Sequence, residues 1–233
     1  MTTLEKSTIS RLLKDIKETR KGILEENGIY YVHDNENILK GYAMIVGPED
    51  TPYEDGYYFF DVFFPTNYPH SPPKFVFKTN DGKTRFNPNF YRTGKCCVSI
   101  LNTWKGEQWT SCQTLMSVLI TIQSLFNKNP ILNEPGINES NSDFNNYNEI
   151  IEFKNIDITI LSVLENKHNY SDTSDIFKEK IMILFNKNKN RILKKIENLK
   201  NEKNGPYTIR TSLYNMSVEI DYELLYKKFI KSK

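Results

Sequence analysis

Cysteine and histidine are scarce in this chain: its 233 residues hold three of each. A secreted disulfide scaffold would want more cysteines, usually in even number. Two of the three, Cys96 and Cys97, are adjacent, and a disulfide between neighbours is strained. A structural zinc site would want four ligands at short regular spacing, whereas His33, His70 and His168 are scattered. No metal is expected. Long apolar runs are missing as well. None approaches the roughly 18 residues of a membrane span, and the opening MTTLEKSTIS lacks the apolar core of a signal peptide. Charge of one sign is not in excess. A net charge of +2 gives no reason to expect the strongly basic face that nucleic-acid binding requires. Neither nucleic acid nor membrane is therefore expected as a partner, and the expected location is cytoplasmic or nuclear. No internal repeat is found.

What the chain does have is pattern. Ile9, Leu12, Leu13 and Ile16 recur at i, i+3, i+4 and i+7 and predict a helix over 7–21. Arg11, Lys14, Lys17 and Lys21 lie off that stripe. Between 28 and 77 the pattern turns to strands, over 29–32, 39–46, 57–64 and 75–77. These segments are rich in β-branched and aromatic residues, and the turn-forming runs DNEN, GPEDTPYEDG and FPTNYPHSPP separate them. Such short connections favour an antiparallel meander. Residues 79–109 show little periodicity, yet hold both tryptophans. A stretch this long in a compact domain is functional or disordered, and its aromatic content argues against disorder. Helices are predicted over 111–127, stopped by Asn129-Pro130, and over 144–164, where IDITI blurs the period. KHNYSDTSD reads as a linker. A Lys- and Asn-rich helix over 176–203, a Gly205-Pro206 break and a short helix over 221–230 complete the chain. The fold class is α/β in the α+β sense: an N-terminal helix, a four-stranded antiparallel meander, then C-terminal helices with an extra helical tail.

The segment RFNPNFYRTGKCCVSIL carries the most chemistry. The plain role of an intracellular cysteine is that of a small buried hydrophobe. A nucleophilic role needs a donor aimed at the oxyanion of a tetrahedral intermediate, and an amide side chain can provide one. Asn89, eight residues before Cys97, is placed to do so, or to brace the loop by hydrogen bonds to the backbone; the two roles are compatible. Pro88 fixes the backbone just before it and Gly94 allows a turn before the thiols. No His or Asp stands close by to form a Cys–His pair, and a solvated Lys95 is protonated and cannot act as a base. His70 and His168 could serve only if the fold brought them in. A cysteine with no resident base suits one that receives an already activated acyl group and passes it on. A redox sensor built on the vicinal thiols is the rival use.

Read in order, GPEDTPYEDGYYFFDVFFPTNYPHSPPKFVF, RFNPNFYRTGKCCVSIL, Trp109, and SVLITIQSLF followed by NEPG resemble the ubiquitin-conjugating enzymes, from the first helix to about Asn148. With its extra residues before Trp109, NPNFYRTGKCCVSILNTWKGEQW is similar to the Z-type branch. YNEII and the tail up to FIKSK resemble that branch more loosely. The resemblance implies a catalytic core over 1–166 and a helical C-terminal extension over 167–233. It implies an enzyme that takes ubiquitin, or a ubiquitin-like modifier, from the ubiquitin-activating enzyme as a cysteine thioester. That enzyme hands the modifier to a substrate lysine or a ligase cysteine. It implies no cofactor, because the upstream activating enzyme uses the ATP. A monomer is expected.

The resemblance also assigns residues. Cys97 matches the thioester cysteine and Cys96 a packing position; alternation in an extended segment points the two side chains opposite ways. Asn89 matches the oxyanion-stabilising asparagine, and Asn87 stands where a mainly structural histidine is frequent. Tyr91, Ser99 and Glu134 match positions lining the approach of the attacking lysine, with Glu134 in place of a common aspartate. Arg11 and Lys14 match basic positions that dock the activating enzyme. Tyr68, Pro69 and His70, with Thr110, Ser111 and Cys112, match the two ligase-facing loops. There the chain departs from the family: the second loop lacks its usual proline, and His70 replaces a common apolar contact. A conjugating-enzyme fold that has lost catalysis and only binds is the alternative, and the presence of Cys97 and Asn89 argues against it.

Overall fold

The computed structural model describes residues 4–167, 171–203 and 205–231. His168 and the last two residues of FIKSK lie outside the described residues. The N-terminal amphipathic stretch forms α1 (Lys6–Thr19), whose buried face is Thr8, Leu12, Asp15, Ile16 and Thr19. This corrects the apolar stripe: Leu13 is 55% exposed and Asp15 is turned inward instead. A buried carboxylate is costly unless its oxygens are hydrogen-bonded. Here Arg11 Nε donates to Asp15 Oδ1 at 2.9 Å, and the Tyr68 hydroxyl donates to Oδ2. A one-turn helix, α2 (Ile23–Glu26), buries Leu24 and leads into the sheet.

Strands β1 (Ile29–His33), β2 (Lys40–Val46), β3 (Tyr57–Phe63) and β4 (Lys74–Phe77) pair in sequence order. Every pair is antiparallel, with registers such as Ile29↔Ile45, Ala43↔Phe60 and Phe60↔Phe77. The expected meander is what forms. The side-chain period of two gives the sheet two apolar faces. Ala43, Ile45, Tyr58, Phe60 and Val62 enter the main core, while Met44, Tyr57 and Phe59 form a second cluster on the other face with Val163, Phe177 and Ile181. That second face is covered by the C-terminal part of the chain.

Helix α3 (Leu115–Ser124) begins later than the expected residue 111, because Thr114 caps it. Ser117 N donates to Thr114 Oγ1 at 3.1 Å and Thr114 N donates to Ser117 Oγ at 3.0 Å, a reciprocal capping box. The predicted helix over 144–164 is three pieces: α4 (Phe144–Lys154), a π-helical stretch (Asn155–Leu161) and α5 (Ser162–Leu164). The wider π turn explains the blurred period of IDITI, since i→i+5 bonding advances the apolar face by an extra residue.

Buried Asn155 sits at the start of this stretch. Its Oδ1 accepts from Tyr58 Oη at 2.6 Å and Thr159 Oγ1 at 2.7 Å, and its Nδ2 donates to the Glu54 carbonyl at 2.8 Å. Gly56 makes room: a Cβ there would lie 1.9 Å from Asn155 Oδ1. We expect Asn155→Ala to cost about 2–3 kcal/mol, because buried partners are left unsatisfied. In thermal unfolding this is a drop of roughly 5–10 °C for a chain of this size.

The tail is not wholly helical, which corrects the expectation for it. The linker region holds a short helix, α6 (Ser171–Ile176), and the long helix is α7 (Lys178–Glu202). Then comes a hairpin of β5 (Tyr207–Thr211) and β6 (Met216–Ile220), followed by α8 (Tyr222–Lys231). The signal for the hairpin is alternation: Ile209, Thr211, Met216, Val218 and Ile220 are buried while their neighbours are exposed. Ile181 near the start of α7 packs on the outer sheet face, and Ile192 and Ile196 farther along join the main core. No helix among the described residues is long and apolar enough to cross a membrane.

Candidate active site

After β4 the chain runs through an irregular segment held by isolated bridges, among them Val76↔Lys95 and Phe90↔Cys96. Gly94 adopts φ +87°, and a Cβ there would meet the Phe77 carbonyl and Val76 Cγ1 at 3.0 Å. Glycine thus lets the thiol-bearing turn press against β4, where Phe77 N donates to the Gly94 carbonyl at 2.8 Å. From that turn the two cysteines diverge. Cys96 is wholly inside, part of the main core. Burial pushes its thiol up to about 12. Cys97 is also buried, at 4% exposure, but lies outside that core cluster, and its Sγ–H donates to the Thr103 carbonyl at 3.0 Å.

Asn89 and Cys97 are bonded to each other twice. Cys97 N donates to the Asn89 carbonyl, and Asn89 Nδ2 donates to the Cys97 carbonyl, each at 2.8 Å. Asn89 N is itself fixed by Asn87 Oδ1 at 3.0 Å. Fully buried Asn87 donates to Tyr53 Oη and to the Leu125 carbonyl, so it ties the loop to the end of α3. The Asn89 amide nitrogen carries two protons. One of them holds the Cys97 backbone carbonyl.

Thr103 completes the clamp around the thiol, and nothing local in the sequence marks it. Its Oγ1 accepts from Val98 N at 2.8 Å and lies within bonding distance of the Cys96 and Val98 carbonyls, at 2.8 and 3.0 Å. Ser99 opens the 3₁₀ turn (Ser99–Leu101) just beyond the cysteines. Arg85, also unmarked in the sequence, is buried beneath the segment. Its Nε and Nη2 donate to the Asn87 and Pro88 carbonyls at 3.1 and 2.7 Å. Its guanidinium lies 3.5 Å from the centroid of the Tyr91 ring, an arrangement stabilised by the ring quadrupole. Glu134 follows the 3₁₀ turn Pro130–Asn133 and accepts a hydrogen bond from the Tyr214 hydroxyl.

The ubiquitin-conjugating enzyme family model matches residues 11–156. The chain belongs to that family. It is similar to the Ubiquitin-conjugating enzyme E2 Z of Xenopus tropicalis, with 46% identity over 143 residues, 60% of this chain and 46% of the relative. It is similar to the E2 Z of Homo sapiens, with 42% identity over 165 residues, 69% of this chain and 47% of the relative. It is also 50% identical over 115 residues to the Probable ubiquitin-conjugating enzyme protein 17 of Caenorhabditis elegans, 47% of this chain and 16% of that one. The chain spans about half the length of the E2 Z relatives it matches.

Within this conjugating-enzyme core, the expected ligase-facing and docking residues divide into scaffold and surface. Tyr68 is scaffold: it is buried, bonded to Asp15, and its ring centroid lies 5.9 Å from that of Trp109. Trp109 Nε1 donates to the Pro69 carbonyl at 2.7 Å, so the two loops are joined. His70, Thr110, Ser111 and Cys112 are exposed. Arg11 is turned inward rather than outward. It donates to the carbonyls of Ser111, at 2.8 Å, and Gln113, and so ties α1 to the second loop. Lys14 is exposed.

Proposed function

We propose that this chain is an active ubiquitin-conjugating enzyme with Cys97 as its acceptor. The Cys97 sulfur, as thiolate, attacks the carbonyl of a modifier thioester carried by the activating enzyme; a new thioester forms and the activating enzyme's thiolate leaves. A substrate lysine amine, or a ligase cysteine, then attacks the Cys97 thioester. The acyl group moves to nitrogen or sulfur, and Cys97 departs as thiolate while the attacking group gives up its proton. The modifier is ubiquitin or a ubiquitin-like protein with an activated C-terminal carboxyl. ATP is consumed upstream, so thioester exchange asks no cofactor of this chain.

The observation that carries this reading is the reciprocal Asn89–Cys97 pair. It sets an amide donor against the thiol's own residue, where charge develops in both acyl transfers. Half-buried Tyr91, Ser99 and Glu134 are the proposed lining of the path for the lysine, and Asn89 is the proposed oxyanion donor. The joined loops at Pro69–His70 and Thr110–Cys112 are the proposed ligase surface. Free Cys96, Cys97 and Cys112 suit a reducing compartment, in keeping with a cytoplasmic or nuclear location. We take the working unit as a monomer.

The test is single-turnover loading with activating enzyme, ATP, magnesium and ubiquitin, read on non-reducing gels. A thiol-sensitive adduct is expected. Its absence with ubiquitin and with other modifiers, across several activating enzymes, would leave only the binding-module reading.

The docking face gives a separate prediction. Lys14→Glu should slow loading about three- to tenfold at low salt, and the deficit should shrink as salt rises, because the charge acts by steering the encounter. Loading rates that are equal for both proteins at every salt concentration would remove Lys14 from that face. Arg11→Glu would confuse the measurement, since Arg11 is bonded to Asp15 and two loop carbonyls.

A further inference from the structure

The hairpin of the C-terminal extension ends at the proposed lysine path. Between β5 and β6 the chain turns through Tyr214 and Asn215, both in the left-handed region with φ 62° and 48°. A bulky residue at positive φ is an outlier, and such backbone persists only where its surroundings over-determine it. The surroundings here come from the catalytic core. Arg92 Nη2 donates to the Tyr214 carbonyl at 2.7 Å, Leu213 N donates to Asp143 Oδ2 at 2.7 Å, and Arg85 N donates to Met216 Sδ at 3.3 Å. Three core residues thus fix the turn from its two ends and its middle.

From this turn the Tyr214 ring reaches the Arg85 guanidinium, its centroid 5.0 Å away, and the same guanidinium lies 3.5 Å from the centroid of the Tyr91 ring. One buried cation therefore aligns two tyrosines, one from the core and one from the extension. The Tyr214 hydroxyl donates to Glu134 Oε2. Burial first, and then the Glu134 carboxylate, push that hydroxyl's pKa up, so it stays a proton donor through the neutral range.

We propose that Tyr214 is a positioning residue for lysine transfer. By holding Oε2 it orients the Glu134 carboxylate and leaves Oε1 to meet the incoming ammonium. The inference deepens the functional reading above and rests on its placement of Glu134 along the lysine path. A free glutamate must lose rotamer freedom each time it engages a substrate. A carboxylate already held in place does not, and small errors of placement in a reacting group are costly in rate. The extension then acts as one wall of the site, in addition to packing against the core.

The experiment uses isolated thioester of the full chain with ubiquitin, freed of activating enzyme and ATP, and follows its discharge to free lysine over a range of lysine concentrations. Tyr214→Phe keeps the ring against Arg85 and removes only the hydroxyl. It should lower the discharge rate roughly tenfold, a loss within the range known for misplaced groups. Glu134→Gln should be slow as well. The double variant should be no slower than Glu134→Gln alone, because Tyr214 acts through Glu134 and coupled residues are not additive. Wild-type discharge by Tyr214→Phe, with Glu134→Gln slow, would overturn the proposal and spare the lysine path. Losses that multiply in the double variant would also overturn it, as they would mark a separate, structural role. Wild-type discharge by Glu134→Gln would overturn the lysine path itself, and the role of Tyr214 with it.

Discussion

Cys97→Ser should hold the modifier as an adduct that survives thiol reagents, and Cys97→Ala should form no adduct at all. A serine oxygen at this position keeps the Asn89 amide and the Thr103 clamp around it, but forms an oxyester, which thiols do not cleave. Cys96→Val should load like the wild type. The Cys96 thiol, pushed well above its ordinary range by burial, stays protonated at neutral pH and is a poor nucleophile. Its sulfur has a long hydrogen bond to the Gly94 carbonyl at 3.9 Å and another with the Phe77 backbone, both weak for sulfur, so valine of similar volume replaces it at small cost in packing. The same properties make a reactive vicinal pair a poor description of the two thiols. Loss of loading in Cys96→Val, with Cys97→Ala unaffected, would reverse the assignment.

The second large effect is at Asn89. Asn89→Ala should slow discharge to lysine by about 100- to 1000-fold, the usual consequence of losing one oxyanion donor. Folding should suffer much less. The brace is a single bond to the Cys97 carbonyl, and a deserted, partly buried carbonyl costs about 1–3 kcal/mol. Stopped-flow or quenched discharge assays, set beside thermal unfolding, separate the two roles. A protein that melts several degrees lower yet discharges at the wild-type rate would leave Asn89 as a brace only.

The parts of the molecule legible in the sequence are those with short-range causes. The meander follows from alternating apolar residues and short turns. The thiol loop could be read because Asn89, Gly94 and Cys97 lie within nine residues of chain. The misreadings have long-range causes. The face of α1 is set by Asp15, and only Tyr68, 53 residues later, makes a buried carboxylate tolerable there. The π turn at Asn155 depends on Tyr58 and Glu54, about a hundred residues earlier. Arg85 shows no motif of its own and acquires its place from Tyr91, Tyr214 and the carbonyls around it. The hairpin did leave a trace, in the alternation of YTIRT and MSVEI. Its strands are short, though, and Gly205-Pro206 reads more strongly as a break between helices.

The hairpin also gives the molecule a birth order. Arg85 is bonded to Met216 across 131 residues, and Glu134 to Tyr214 across 80. A ribosome delivers Tyr214 about 120 residues after Cys97, which at about 5–20 residues per second is roughly 6–24 s. For that interval the nascent chain has Cys97 and then Glu134, but not the Tyr214 hydroxyl that donates to Glu134. A chain whose synthesis stops between these points lacks the hydrogen bonds that the hairpin makes to Arg85, Arg92 and Glu134.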